Sequence, residues 1–490
     1  MFLQSGPDKK LKGKLQNSER QAKDAATAAA RYELLFADSP GYIETEGMEK
    51  TYKLTQKQIM EEVDVDAARK MFRLTLDQYG PYSHAYSRNG RYSVLCGQKG
   101  HISMLDNLRS KAVNEFHVEE RCRDVEFLHN HTLFAVAQNK HVFIYDRNGA
   151  EVHQLTSHIE PTALEFLHHH LLLASVGNTG YLKYQDVSTG ELVAEHRTKL
   201  GPCSVLRQNP WNAVMNLGHS NGCVTMWTPN VNEPVVKLLA HKSPITSLAI
   251  DRSGTYMATA GADAKLKVWD LRTYNELHEY FVPSPASSLD ISQRGLLGVG
   301  FKSHALVWKD ALSNKAKSPY MRHDMPSRTV NCVRFRPYED VLGISHTHGF
   351  DSCLIPGSGE PNYDSYAADP FEDRKQIREG EVQAALDKIP ASMIALDARA
   401  VGGVDRFQEK RLPATHNKYA IKPLPVESKK KKTRGRSKSS RRAAKQQANV
   451  ITERKERRRQ QIMEERSKKE KKQTKQTNDE ESRDALSRFR

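Results

Sequence analysis

The chain has 490 residues, 38% of them apolar, with 75 Lys and Arg against 59 Asp and Glu, which is enough for a large domain with appendages. It contains no run of about 18 apolar residues, so no membrane span is expected. Its start, "MFLQSGPDKK", has no apolar stretch of signal-peptide length.

In chain order, residues Lys9 to Phe36 read as a helix with an alanine-rich centre, stopped by Pro40-Gly41. The next stretch, "GYIETEGMEKTYKLTQKQI", is polar with scattered aromatics and reads as an extension in need of a partner surface. "MFRLTL", Met71 to Leu76, alternates as a strand does. Then a repeat begins. "HKSPITSLAIDRSGTYMATAGADAKLKVWD", His241 to Asp270, holds three strands separated by the turns "DRSG" and "GAD". The end of its third strand recurs at Asp106, Asp146, Asp186, Thr228, Asp270 and Lys309, at intervals of 40, 40, 42, 42 and 39. A final copy ends near Ile355, making seven units.

The period and the Trp-Asp ending predict an all-β fold, a seven-bladed WD-repeat β-propeller. The seventh copy lacks an outer strand, and Met71–Leu76 is the segment that can supply it and close the ring. The fifth unit carries a full polar set, His241, Thr259, Asp263 and Trp269, where such blades place a hydrogen-bonded tetrad. The fourth, second and third units have Asn221, Asn139 and Thr179 in place of the aspartate. A His-Asp-Thr group also resembles a catalytic triad, but a buried polar group must be paired whatever its role, so the structural reading is preferred.

After the repeats, "PFEDRKQIREGEVQAALDKIP" has helical periodicity at Ile377, Val382, Ala385, Leu386 and Ile389, and Pro390 ends it. This module is too small to fold alone and is expected to pack on the propeller or on another protein. From Lys410 onward the chain turns polar, and "KKKKTRGRSKSSRRAAK" is basic and of low complexity. Between Lys429 and Lys475, 21 residues are basic and 5 acidic. The whole formal excess of +16 therefore lies in these 47 residues, on a neutral body. That predicts a polyanionic partner: RNA, DNA, an acidic protein or an anionic membrane. The glutamates and basic residues after Val450 fall at helical spacings, so an exposed helix is expected there. The expected domains are a helical and extended segment 1–70, the propeller 71–356, a C-terminal module 357–410 and a basic tail 411–490 that is disordered or helical.

Chemistry finds little foothold. There is no phosphate loop and no nucleophile elbow; "GVGFKS" at Gly298 to Ser303 has the wrong spacing. His168-His169-His170 reads as a polar turn, since no second ligand cluster has zinc spacing. The cysteines Cys96, Cys122, Cys203, Cys223, Cys332 and Cys353 form no C-x-x-C pair, which predicts free thiols in a reducing, intracellular compartment. No cofactor, metal, membrane or small-molecule substrate is expected.

"GFDSCLIPGSGEPNYDSYAADPFEDRKQ", followed by "GEVQAALDKIPASMIALDARAVGGVD", resembles the C-terminal module of the BING4-type WD-repeat family, and "LKGKL" and "GYIETEGMEKTYKLTQ" resemble that family's leader. The resemblance covers most of Leu11 to Val404. Gly380 and the final Arg490 depart from the family pattern. The resemblance implies a nucleolar, non-catalytic scaffold of the small-subunit processome that acts in early 18S rRNA maturation. The implied partners are pre-ribosomal RNA or the U3 small nucleolar RNA, and other processome proteins, WD-repeat subunits among them.

On this reading the candidate RNA or acidic-partner contacts are Lys9, Lys10, Lys12, Lys14, Lys429, Lys430, Lys431, Lys432, Arg434, Arg436, Arg441, Arg442, Arg457, Arg458 and Arg459. The candidate protein contacts of the family motif are Gly349, Phe350, Pro356, Gly357, Gly359, Glu360, Asn362 and Tyr363. A second class of function, a substrate adaptor or chromatin-associated peptide reader, would need an acidic or aromatic-lined top surface on the ring. An enzyme would need a clustered, pocketed set of ionisable residues in the channel.

Overall fold

Short alternating strands joined by tight turns build seven antiparallel sheets of four strands. The computed structural model describes residues 9–33, 41–44, 49–361, 371, 374–397, 455, 457–465 and 467. The chain divides into two units, Met1–Val404 and Asp405–Arg490. The sheets of the first unit are the blades of a propeller. Blades 1 to 6 each use four consecutive strands and span residues 82–117, 122–155, 161–197, 203–239, 245–281 and 288–324. Blade 7 takes three strands from Val330–Phe335, Val341–His346 and Gly349–Leu354. Its fourth is Phe72–Thr75, which pairs antiparallel with Gly349–Leu354. The ring is therefore closed by the N-terminal strand, as expected for Met71–Leu76.

The apolar residues gather between blades rather than at one centre. Seven buried clusters fill the seven blade junctions. Phe127, Phe134 and Met104 meet between blades 1 and 2. Trp227 and Tyr184 lie between blades 3 and 4, and Tyr82, Leu95 and Phe350 between blades 7 and 1. Leu164 and Leu173 face Ala135 between blades 2 and 3, and Trp269 fills the junction of blades 4 and 5. Two further clusters fill the junctions 5–6 and 6–7.

The broken alternation in "ITSLAI" has a structural cause. A β-bulge shifts the register between Ile245 and Ser247, and the same bulge recurs in blades 2, 3, 4 and 7. The extra residue is freed from the ladder and can reach the next blade. Arg123 Nη1 donates to Pro161 O (3.1 Å), Thr162 Oγ1 to Cys203 O (2.6 Å) and Asn331 Nδ2 to Tyr82 O (2.8 Å). The last of these joins blade 7 to blade 1.

Both extensions use the propeller as their partner surface. Helix α1 spans Lys9–Glu33, and its residues 13–26 are exposed. Helix α2, Gln56–Glu62, buries Ile59 in the cluster of blades 6 and 7. Gln56 donates to Leu354 O (2.9 Å) and accepts from Leu354 N (2.8 Å), standing in for one more strand residue. After the ring, helix α3 spans Arg374–Leu386. The segment behind it buries Ile394 in the cluster of blades 3 and 4. In the second unit, residues 457–465 are helical and exposed.

Candidate functional site

In blade 5, His241 Nε2 lies 3.0 Å from Thr259 Oγ1, and Trp269 Nε1 donates to the same oxygen at 3.0 Å. His241 Nδ1 is 3.2 Å from Asp263 Oδ1. The chain runs from the junction turn through the buried imidazole to the strand centre, so all four side chains are spent on holding the blade. Blade 4 keeps only the tryptophan position, and Trp227 Nε1 donates instead to Thr225 on its own strand, whose Oγ1 also lies 2.6 Å from His219 Nε2. Blade 3 uses His158 between Ser175 and Gln185.

The family-motif residues that are described turn inward. Gly349 and Phe350 are buried in the closing strand pair, opposite Thr75 and Leu74. The Gly349 backbone is left-handed (φ 136°), and a Cβ there would stand 2.0 Å from Leu74 O. Pro356 O accepts from the Tyr320 hydroxyl (2.9 Å), which in turn accepts from Ile43 N (2.9 Å). Gly357 (φ 83°) lies against the ring of Tyr42, whose face carries the Lys309 ammonium 3.7 Å from its centroid. Gly359 N donates to Asp340 Oδ1 (2.8 Å) and Glu360 N to Gln293 Oε1 (3.2 Å). Of these candidate protein contacts, Gly349, Phe350, Gly357 and Gly359 are buried against the leader and blade 7 of the same chain, and Pro356 and Glu360 are half-buried. Asn362 and Tyr363 lie outside the described residues.

Of the candidate basic contacts, Lys14 is exposed on α1, and Arg457, Arg458 and Arg459 are exposed on the helical residues of the second unit. Lys9, Lys10 and Lys12 fall on α1, with side chains outside the described residues. Lys429, Lys430, Lys431, Lys432, Arg434, Arg436, Arg441 and Arg442 also lie outside them.

Sequence reasoning missed the channel. The inner strands bring Glu126, Glu165, Arg207 and Arg334, each two positions beyond its bulge, and Asp290 of the unbulged blade 6 to one level of the ring, with Ala85 and Ala249 completing it. Arg334 Nη1 is 2.8 Å from Glu126 Oε2, and Arg207 Nη1 is 3.1 Å from Glu165 Oε1. Asp124 accepts from Leu164 N (3.0 Å) and Asp290 from Phe335 N (2.6 Å), each across a blade junction. Burial pushes all four carboxyls upward against the pull of the arginines, Glu126 to about 7. The ionisable set that an enzyme would need is thus present, but its members are committed to one another and to other blades: Arg207 and Glu165 join neighbouring blades, and Arg334 of blade 7 reaches past blade 1 to Glu126 of blade 2. The signal was a charge at the same place in "RDVEF", "ALEFL", "SVLRQ", "SLDIS" and "NCVRF", legible only once the bulges align the repeats.

At one end the channel opens into a cavity of about 850 Å³ between the turns that leave the inner strands. His168, His169 and His170 form one of these turns, and burial lowers all three, His168 to about 3. Among the described residues no group of three metal-ligating side chains converges. The C-terminal segment straps this face. His129 meets Glu381 at 3.7 Å, Ile389 N donates to His169 O (2.9 Å), and His170 Nδ1 lies 2.9 Å from Ile389 O. Lys388 pairs with Asp186, and Asn212 and Asn230 donate to Leu396 O and Ser392 O (2.8 Å each). The strap thus joins blades 2, 3 and 4.

Comparison with known proteins matches this strap and the end of the ring, residues 319–397, to the BING4CT (NUC141) domain, and residues 232–270 to the WD domain, G-beta repeat. The chain is 44% identical over 416 residues to U3 small nucleolar RNA-associated protein 7 of Saccharomyces cerevisiae, covering 81% of this chain and 75% of that one. It is 44% identical over 400 residues to WD repeat-containing protein 46 of Homo sapiens, covering 81% of this chain and 65% of that one, and similarly to the protein of that name from Mus musculus. With 44% identity over four fifths of its length to such a relative, and the BING4CT module at the end of its ring, the chain belongs to the BING4-type WD-repeat family.

Proposed function

We propose that this chain is a non-catalytic scaffold of the small-subunit processome, working in the nucleolus in early pre-rRNA processing and 18S rRNA maturation. The observation that carries it is the 44% identity, across propeller and strap together, to a protein named for its association with the U3 small nucleolar RNA. The architecture supports the same reading. A rigid ring with both extensions folded onto it is a platform, and the channel charges hold blades together rather than facing a substrate. Its partners are pre-ribosomal or U3 RNA and other processome proteins. Lys14 and Arg457 to Arg459, with the lysines and arginines of 429–442, meet phosphates without reading sequence.

The test is to purify the tagged protein from nuclear extract at moderate salt and sequence the RNA that accompanies it. U3 RNA and the 5′ part of the pre-ribosomal transcript are expected. Their absence, with ubiquitin-ligase or histone-modifying subunits recovered instead, overturns the reading in favour of an adaptor. Deleting residues 429–475 is expected to weaken RNA association and flatten its salt dependence, because fewer counterions are released on binding. An unchanged salt profile removes the tail as the RNA arm.

A further inference from the structure

The chain has four tryptophans, and Trp227, Trp269 and Trp308 are buried in blade junctions. Trp211 is 56% exposed, on the turn between the first two strands of blade 4. Three more large apolar side chains stand open at the same blade: Met393 of the strap at 48%, and Val231 and Val235 of the loop before the outer strand at 46% and 40%. Two asparagines bring them together. Asn230, next to Val231, donates to Ser392 O and Ile394 O on either side of Met393 (2.8 and 3.3 Å). Asn212, next to Trp211, donates to Leu396 O (2.8 Å). The strap therefore runs from the Val231 loop to the Trp211 turn, with Ile394 buried beneath it. Four residue steps from Ser392 to Leu396 reach at most about 14 Å, so these side chains border one patch. An exposed apolar patch with Trp and Met at its heart has the composition of an interface core.

The backbone at the patch is already committed. The carbonyls of Ser392, Ile394 and Leu396 accept from the two asparagines, Met393 N and Ile394 N donate to Pro390 O and Ala391 O, and Val235 N donates to Met226 O. A partner that adds a strand needs a row of free N–H and C=O groups, which this strap does not offer. An amphipathic helix satisfies its own backbone and docks through side chains alone. Its anchors at i, i+4 and i+7 span about 10 Å, within the reach of the patch. Charge sets the flank of that helix. Glu233 is exposed between Val231 and Val235 and makes no ion pair among the described residues. A cation beside the apolar stripe complements it.

We infer that this patch docks an amphipathic helix of another protein, with its apolar stripe on Trp211, Met393 and Val231 and a lysine or arginine beside Glu233. Blade 4 supplies the tryptophan and the valines, and the strap supplies the methionine, so the site is complete only when the two are assembled. It does not depend on the ribosomal assignment. Recovery of cellular RNA tests that assignment; a peptide titration tests this site.

Trp211 is the exposed indole, so the intrinsic fluorescence of the full chain reports on the patch. The probe is a helical peptide of about four turns, free of tryptophan, with leucines at i, i+4 and i+7 flanked by lysines. Its twin carries glutamates in place of the lysines. The lysine-flanked peptide is expected to shift Trp211 emission to shorter wavelength with a saturable midpoint, and the glutamate-flanked twin to need about three- to tenfold more. Glu233→Lys is expected to invert that order. Val231→Asp is expected to abolish the shift while circular dichroism and melting stay as in the parent chain. No shift with either peptide, or an order that Glu233→Lys leaves unchanged, overturns the proposal. So does a chain that sediments as a dimer and is dissociated by Val231→Asp, which would assign the patch to a second copy.

Discussion

Arg73 and Asp351 face each other across the strand pair that closes the ring, with Arg73 Nε 3.2 Å from Asp351 Oδ2. Asp351 is 2% exposed and also meets His346 Nε2 (3.3 Å) and Arg328 Nη1 (3.4 Å). Burial opposes its charge, but His323 and His346 outweigh that and hold the carboxyl well below its usual range. The two ends of the pair therefore differ in worth. Asp351→Asn leaves buried cations without their carboxylate and is expected to cost about 3–5 kcal/mol in urea denaturation. Arg73→Ala removes a half-exposed partner and is expected to cost at most about 1 kcal/mol. Equal losses would mean that Asp351 is not the centre of this network.

The leader latch rests on one glycine. At Gly357, φ is 83° and a Cβ would stand 2.4 Å from the Tyr42 ring. Gly357→Ala is expected to cost about 1–3 kcal/mol through the left-handed backbone and to lift residues 41–44 from the ring. Limited proteolysis should then cut before Thr51 faster than in the parent chain, while blades 2 to 5 stay resistant.

The channel makes stability depend on pH. Glu126 titrates at about 7 in the folded chain because burial, with Glu165 and Asp124 nearby, outweighs Arg334. A carboxyl raised above its unfolded value of about 4.5 stabilises the fold while it is protonated. Its contribution is greatest below pH 4.5 and is lost as pH rises to 7, by up to about 3 kcal/mol. Glu126→Gln is expected to flatten this part of the profile, read as the slope of unfolding free energy between pH 5 and 7. A slope unchanged from the parent chain would place the titration elsewhere.

The strap hangs on Ile394, which is 3% exposed among Trp227, Tyr184 and their neighbours. Ile394→Ala is expected to weaken its docking by about 2–5 kcal/mol. Hydrogen exchange should rise through residues 374–397 while the inner strands keep their protection.

Much of this was legible from the chain alone. Strand ends at Asp106, Asp146, Asp186 and Asp270 recur because each blade must spend the same number of residues crossing out from the channel and back. "MFRLTL" betrayed the closing strand by its alternation and by the gap in the seventh copy. "GFDSCLIPGSG" identified the family but not its own role. Its glycines stand against Tyr42, Leu74 and Glu339 of the same chain, contacts that only the folded ring brings together.

Local pattern determined the blades, their number and the tail's charge, because alternation, turn residues and composition act between neighbours in sequence. The tertiary structure alone decided which residues share a level or a face. Glu126 meets Arg334 across 208 positions, and Trp211 meets the mouth through turns from six other blades. Ring closure and the bulge register set those distances, and neither is written at any one point along the chain.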